Sequence, residues 1–131
     1  MDELDGWGNL SNTANFVYDK IYDIDGYHPV SLVLNCQDYE FEAYTTGTDI
    51  VMQDVYMTGI NTTRWCEIRN AQFGNRSRTL GWERTKAIWA VSQVSGGNSY
   101  GSRILTEKEC MVQSLLAVTH SALAPFFYVH L

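Results

Sequence analysis

Gly26-Tyr-His-Pro-Val-Ser-Leu-Val-Leu-Asn35 and, after a polar-aromatic spacer, Asp49-Ile-Val-Met-Gln-Asp-Val-Tyr56 decide how this chain reads. Val30 to Leu34 and Ile50 to Val55 are continuous apolar runs, the pattern of strands buried on both faces in a parallel sheet. Parallel neighbours need a crossover, and about a dozen residues, Cys36 to Asp49, separate the two runs. Asn35 and Asp54 close the runs with amide and carboxylate groups, and the carboxyl ends of parallel strands are where α/β enzymes keep their chemistry.

The flanks repeat the rhythm. Upstream, Phe16, Val17, Ile21 and Ile24 recur at helical spacing, predicting an amphipathic helix over 13–24 with Ser11 or Asn12 as its cap and Asp25-Gly26 as its stop. Pro29 opens the first strand. The spacer predicts a short helix over 37–44, ending near Gly47. Residues 57–80 show no clear period and read as a long loop with a helical piece near Ser77 to Glu83. Thr85 to Gln93 reads as a third strand. Thr106-Glu-Lys-Glu109 is a capping box that opens a helix through Met111, Val112, Leu115, Leu116 and Val118 to about Leu123. Pro125 stops it, and Phe126-Phe-Tyr-Val129 reads as a fourth strand. Strands alternating with helices in this order predict an α/β fold with parallel strands and right-handed crossovers.

The bulk properties exclude several classes. With 131 residues, 45% of them hydrophobic, the chain can bury one core. A net charge of -6 leaves no basic stripe for nucleic acid and no attraction to an anionic membrane surface. No run reaches the roughly 18 apolar residues of a spanning helix, and the acidic Met1-Asp-Glu-Leu-Asp-Gly6 is no signal peptide. Cys36, Cys66 and Cys110 are widely spaced, which argues against zinc and leaves room for one disulfide, through Cys66. The sequons at Asn9, Asn61 and Asn75 carry weight only in a secretory compartment. His28, His120 and His130 read as structural or surface residues. Ser92, Ser95 and Ser121 lack a nucleophile elbow, and Gly96-Gly97 lacks the Lys of a phosphate loop.

Asp2-Glu-Leu-Asp-Gly6 is similar to an Asp-Glu-Pro-Asp-Gly motif. With Gly26–Asn35, Asp49–Tyr56 and Gly81-Trp-Glu-Arg-Thr-Lys-Ala-Ile-Trp89 at matching intervals, the chain resembles the second half of the (β/α)8 barrel in a poorly characterised group of fungal proteins of the glycoside hydrolase superfamily. The resemblance implies that residues 1–131 are the C-terminal half of such a barrel, strands five to eight, with the end of strand four at the N-terminus. It places Glu3 where barrel glycosidases keep their acid/base glutamate. Gln93 stands where they keep the nucleophile, and an amide cannot serve as one, so Asp54 becomes the partner carboxylate. Leu4 and Met57 replace two prolines of the pattern.

Glycoside hydrolysis wants two carboxyl groups, one to protonate the leaving oxygen and one to attack the sugar or activate water. It needs no metal or cofactor. The expected site is therefore Glu3 and Asp54 as catalytic pair, with Asn35, Asp38, Tyr56 and Gln93 binding substrate and Tyr56, Trp65 and Trp89 as stacking surfaces. Without the resemblance, Glu3 reads as a solvated end residue, Asp54 as a strand end or cap, Asn35 as a turn cap and Trp89 as core. A closed barrel needs about 250 residues, so the expectation is a fragment of a secreted carbohydrate hydrolase, inactive alone. Its open sheet edges would favour self-association. The alternative is a non-catalytic carbohydrate-binding or self-associating α/β module.

Overall fold

The computed structural model describes residues 11–34, 40–55, 66–93, 103, 105–120 and 122–128. The elements alternate: α1 (Ser11–Asp25), β1 (Ser31–Leu34), α2 (Phe41–Thr46), β2 (Ile50–Val55), α3 (Cys66–Thr79), β3 (Ala87–Gln93), α4 (Glu107–Thr119) and β4 (Ala124–Tyr128). The four strands form one sheet in the order β1-β2-β3-β4, every pair parallel. The protein is thus α/β, with a parallel sheet whose strands alternate with helices.

The register sorts the side chains. Leu32 stands opposite Val51, Val51 opposite Ile88, and Gln53 opposite Ala90, so with two-residue alternation these share one face of the sheet. Leu32, Leu34 and Val51 pack with Ala14 of α1, Phe41 and Tyr44 of α2 and Phe73 of α3 into the main core. Ala90 packs with Ala117 of α4 and with Ala122. All four helices therefore cover the same face, the outcome expected when each right-handed crossover carries the chain one strand further in one direction. Val33, Ile50, Met52, Asp54, Trp89, Val91 and Ala124 lie on the other face. Met52, Asp54 and Val91 are buried there; Val33, Ile50, Trp89 and Ala124 are half-covered.

The strand runs fold as read, and β2 occupies Ile50–Val55. Four helix expectations need correction. The stretch read as a loop holds α3 from Cys66 to Thr79, and the segment expected to be helical contributes only its last turn. The α3 sequence is polar, and the buried residues among its described side chains are Phe73, Gly74 and Ser77, too little apolar repetition to signal a period. The crossover helix is displaced to Phe41–Thr46, entered through Glu40 in the left-handed conformation at φ 44°. In α1, Phe16 and Ile24 are exposed and Ala14 is the buried contact; Ser11 and Asn12 lie inside the helix. In α4, Met111, Val112, Leu115 and Val118 are all exposed, and the helix ends at Thr119 rather than near Leu123. β4 starts earlier than expected and includes Pro125, which an edge strand accommodates because one side of its backbone needs no ladder partner.

The capping box forms as read. Thr106 Oγ1 accepts from the Glu109 N–H at 3.4 Å, and Glu109 Oε2 accepts from the Thr106 N–H at 2.9 Å. Arg103 clamps the same carboxylate, its two terminal guanidinium nitrogens donating at 2.8 and 2.5 Å. The Arg103 bonds first, then those from Thr106, bring the Glu109 carboxyl down to about 2. A carboxyl depressed in the folded state stabilises it fully above its unfolded pKa, about 4.3, and loses that contribution as pH falls through about 2. Carboxyl-carbon NMR of Glu109 should therefore titrate near pH 2, and Arg103→Ala should move that midpoint upward. An unchanged midpoint would mean that the clamp does not form in solution.

Candidate functional site

Of the residues the sequence nominates, the structure describes the side chains of two, Asp54 and Trp89. Asp54 is the fifth of six residues in β2, stands opposite Val91, and is 5% exposed. It lies on the face that the helices leave uncovered, near the carboxyl end of the sheet. The neighbouring Gln53 points the other way, into the helix-covered side, and is as deeply buried. One face of β2 thus carries Met52 and Asp54, and Trp89 stands beside Met52. Trp89 is half-exposed rather than core, so an indole surface and a carboxylate share this face on neighbouring strands. Gln93 is the last residue of β3, in register with Tyr128. Glu3, Asn35, Asp38, Tyr56 and Trp65 lie outside the described residues.

A single buried carboxylate can accept hydrogen bonds from hydroxyl groups and can hold or give up a proton. Glycosidic cleavage takes a second carboxyl at about 5 Å, or at about 6.5–9.5 Å with water between. Among the described residues, no group of three His, Cys, Asp or Glu side chains could hold a metal ion, and no helix is long and apolar enough to cross a membrane.

The opposite end of the sheet holds a polar network that sequence reading missed. Asp49, just before β2, accepts from the Val30 N–H through Oδ2 at 2.8 Å and from the Tyr18 hydroxyl through Oδ1 at 3.1 Å. Thr48 Oγ1 donates to the Val30 carbonyl at 2.8 Å. Lys86 Nζ donates to the Thr48 carbonyl at 2.5 Å and to that of Thr46 at 3.3 Å, and it lies 5.1 Å from the centre of the Trp82 ring. Burial lowers the Lys86 pKa, with Asp49 acting against it. Burial first, and then the hydrogen bond to Asp49, raises that of Tyr18. These groups sit where strands begin, the end of a parallel sheet associated with stability rather than chemistry. They tie α1, β1, β2 and the entry to β3 together.

A cavity of about 100 Å³ lies beside this network, lined by Gly74, Ser77, Arg78, Glu83, Lys86, Ile88 and Leu123. It opens on the helix-covered side at the strand starts, so it is separate from the Asp54 face. His28 lies 2.9 Å from Asp25 on the surface, and the His120 backbone N–H caps the end of α4.

Fold and site together define an α/β protein with a sequentially ordered parallel sheet, helices on one face and a buried carboxylate on the other. Comparison with protein-family models, with curated proteins and with solved structures found no match to the chain.

Proposed function

We propose that the chain is glycoside hydrolase-like, its sheet forming half the wall of a (β/α)8 barrel, and that its chemistry is hydrolysis of O-glycosidic bonds by paired carboxyl groups. The observation that supports this reading is the place of Asp54: a buried carboxylate near the carboxyl end of a parallel strand, on the face that the helices do not cover. Such a barrel keeps its catalytic groups at strand ends of this kind. Glu3 supplies the second carboxyl as general acid, and Asp54 activates water or attacks the sugar. Asn35, Asp38, Tyr56 and Gln93 bind hydroxyls, and Trp89 offers a stacking surface. The full-length relative of this reading acts outside the cell, where the sequons would carry glycans. Four strands do not enclose a substrate, so the chain alone binds sugar better than it cleaves it.

A second reading, a carbohydrate-binding module without turnover, is favoured by one observation. Gln93, an amide, ends β3 where the resemblance calls for the nucleophilic glutamate. Calorimetry against a panel of oligosaccharides, beside a glycosidase screen, separates the two. Both readings expect binding that Asp54→Asn weakens about tenfold, or about 1.4 kcal/mol. Turnover that Glu3→Gln abolishes supports the enzyme, whereas binding with no turnover even after Gln93→Glu supports the module. Absence of any sugar binding would sink both.

A further inference from the structure

Helix α4 is turned the wrong way round for a helix on a core. It directs Gln113 and Ala117 inward, 7% and 1% exposed, and presents Met111, Leu115 and Val118 outward at 60%, 59% and 51%. Those three recur at i, i+4 and i+7, which makes them one continuous stripe, and Val112 flanks it. Helix α1 likewise shows Phe16 and Ile24 to solvent, 62% and 87% exposed. The two helices belong to opposite ends of the sheet: α4 leads into β4, and α1 leads into β1. Among the described residues, β1 and β4 each pair on one side only.

We infer that a second copy of this chain covers both faces. The open edge of β4 in one copy continues in parallel onto β1 of the other, and a two-fold axis repeats the junction at the remaining pair of edges. Within one chain, each helix lies on the common face beside the strand pair that it enters, so α4 neighbours α3. Across the junction the same rule sets α1 of one copy beside α4 of the other, which brings the two exposed apolar faces together. The chain itself supplies what the β4 edge lacks, a parallel strand preceded by a helix with an apolar outer side. The area suffices as well. Six apolar side chains that are half or more exposed, with two strand edges added, are on the order of the 800 Å² per partner of a standard interface. The inference rests on topology and exposure and does not depend on the carbohydrate reading.

Sedimentation of the whole 131-residue chain across a dilution series tests it. A reversible dimer is expected. Leu115→Glu and Phe16→Glu, both at exposed positions, should each weaken dimerisation by at least about a hundredfold while leaving the circular dichroism spectrum unchanged. Mixing the two variants should restore dimers, because the mixed pair keeps one junction free of both substitutions. A wild-type chain that stays monomeric and melts cooperatively overturns the inference and leaves these faces to another partner or to further chain. A dimer that survives Leu115→Glu, or one that Phe16→Glu leaves intact, overturns it too, because the unaffected helix would then lie outside the junction.

Discussion

Phe73→Ala is expected to destabilise the fold by about 3–5 kcal/mol, the range for removing a fully buried aromatic side chain. Phe73 is 0% exposed and, among the described residues, is the one by which α3 joins the main core. Its ring meets that of Phe41 edge-on, with centroids 5.4 Å apart and planes at 83°, a geometry worth about 0.5–1.5 kcal/mol beyond area burial. The α3 helix has no other described side chain that is both large and fully buried, so nothing on it can fill the void. Urea denaturation should show a lower midpoint at unchanged slope. Phe73→Leu keeps most of the volume and should cost under about 2 kcal/mol. A loss below about 1 kcal/mol for the alanine variant would mean that α3 does not pack as described.

Gly47→Ala has the second largest expected effect, and its sign is opposite to the usual one. Alanine for glycine ordinarily stabilises by about 0.4–1 kcal/mol where the backbone allows it. The backbone at Gly47 allows it, with φ at −89°. The surroundings do not: a Cβ there would lie 2.8 Å from the Ala14 carbonyl oxygen, 2.9 Å from the Ala14 carbonyl carbon and 2.7 Å from Asn15 Oδ1. The Asn15 side chain can swing aside, but the Ala14 backbone moves only if α1 moves. A net loss of about 1–3 kcal/mol is expected, with amide exchange rising first along α1. Stabilisation by the substitution would show that α1 does not approach the end of α2 this closely.

The strands were legible because their signal is continuous. Val30 to Leu34 is apolar but for Ser31, and Ile50 to Val55 but for Gln53 and Asp54, a density of apolar residues that suits strands covered on one face by helices. The Thr106–Glu109 box was legible because all its partners lie within one turn. The helix faces were not. Spacing shows that Met111, Leu115 and Val118 share a side, but nothing local states whether that side meets the core or something outside it. In α4 the inner side carries Gln113 and Ala117, and Ala117 packs with Ala90 of the sheet, a contact that spacing along the helix does not reveal. Helix α3 escaped because its described buried residues are one aromatic ring, Phe73, and the small Gly74 and Ser77. At the site, Asp54 was readable as the polar close of an apolar strand. The Tyr18–Asp49 and Lys86–Thr48 bonds were not, since their partners lie 31 and 38 positions apart and meet only once the sheet exists.

The strand order carries a consequence for how the molecule is made. Because each strand lies next to its predecessor, no gap has to be held open for a later segment to slot into. A chain leaving the ribosome N-terminus first can add one strand–helix unit at a time to what has already settled, with short loop closures at each stage. Helix α4 emerges after α1, α2 and α3, so its outward apolar stripe is exposed for a shorter part of synthesis than any surface of the earlier helices.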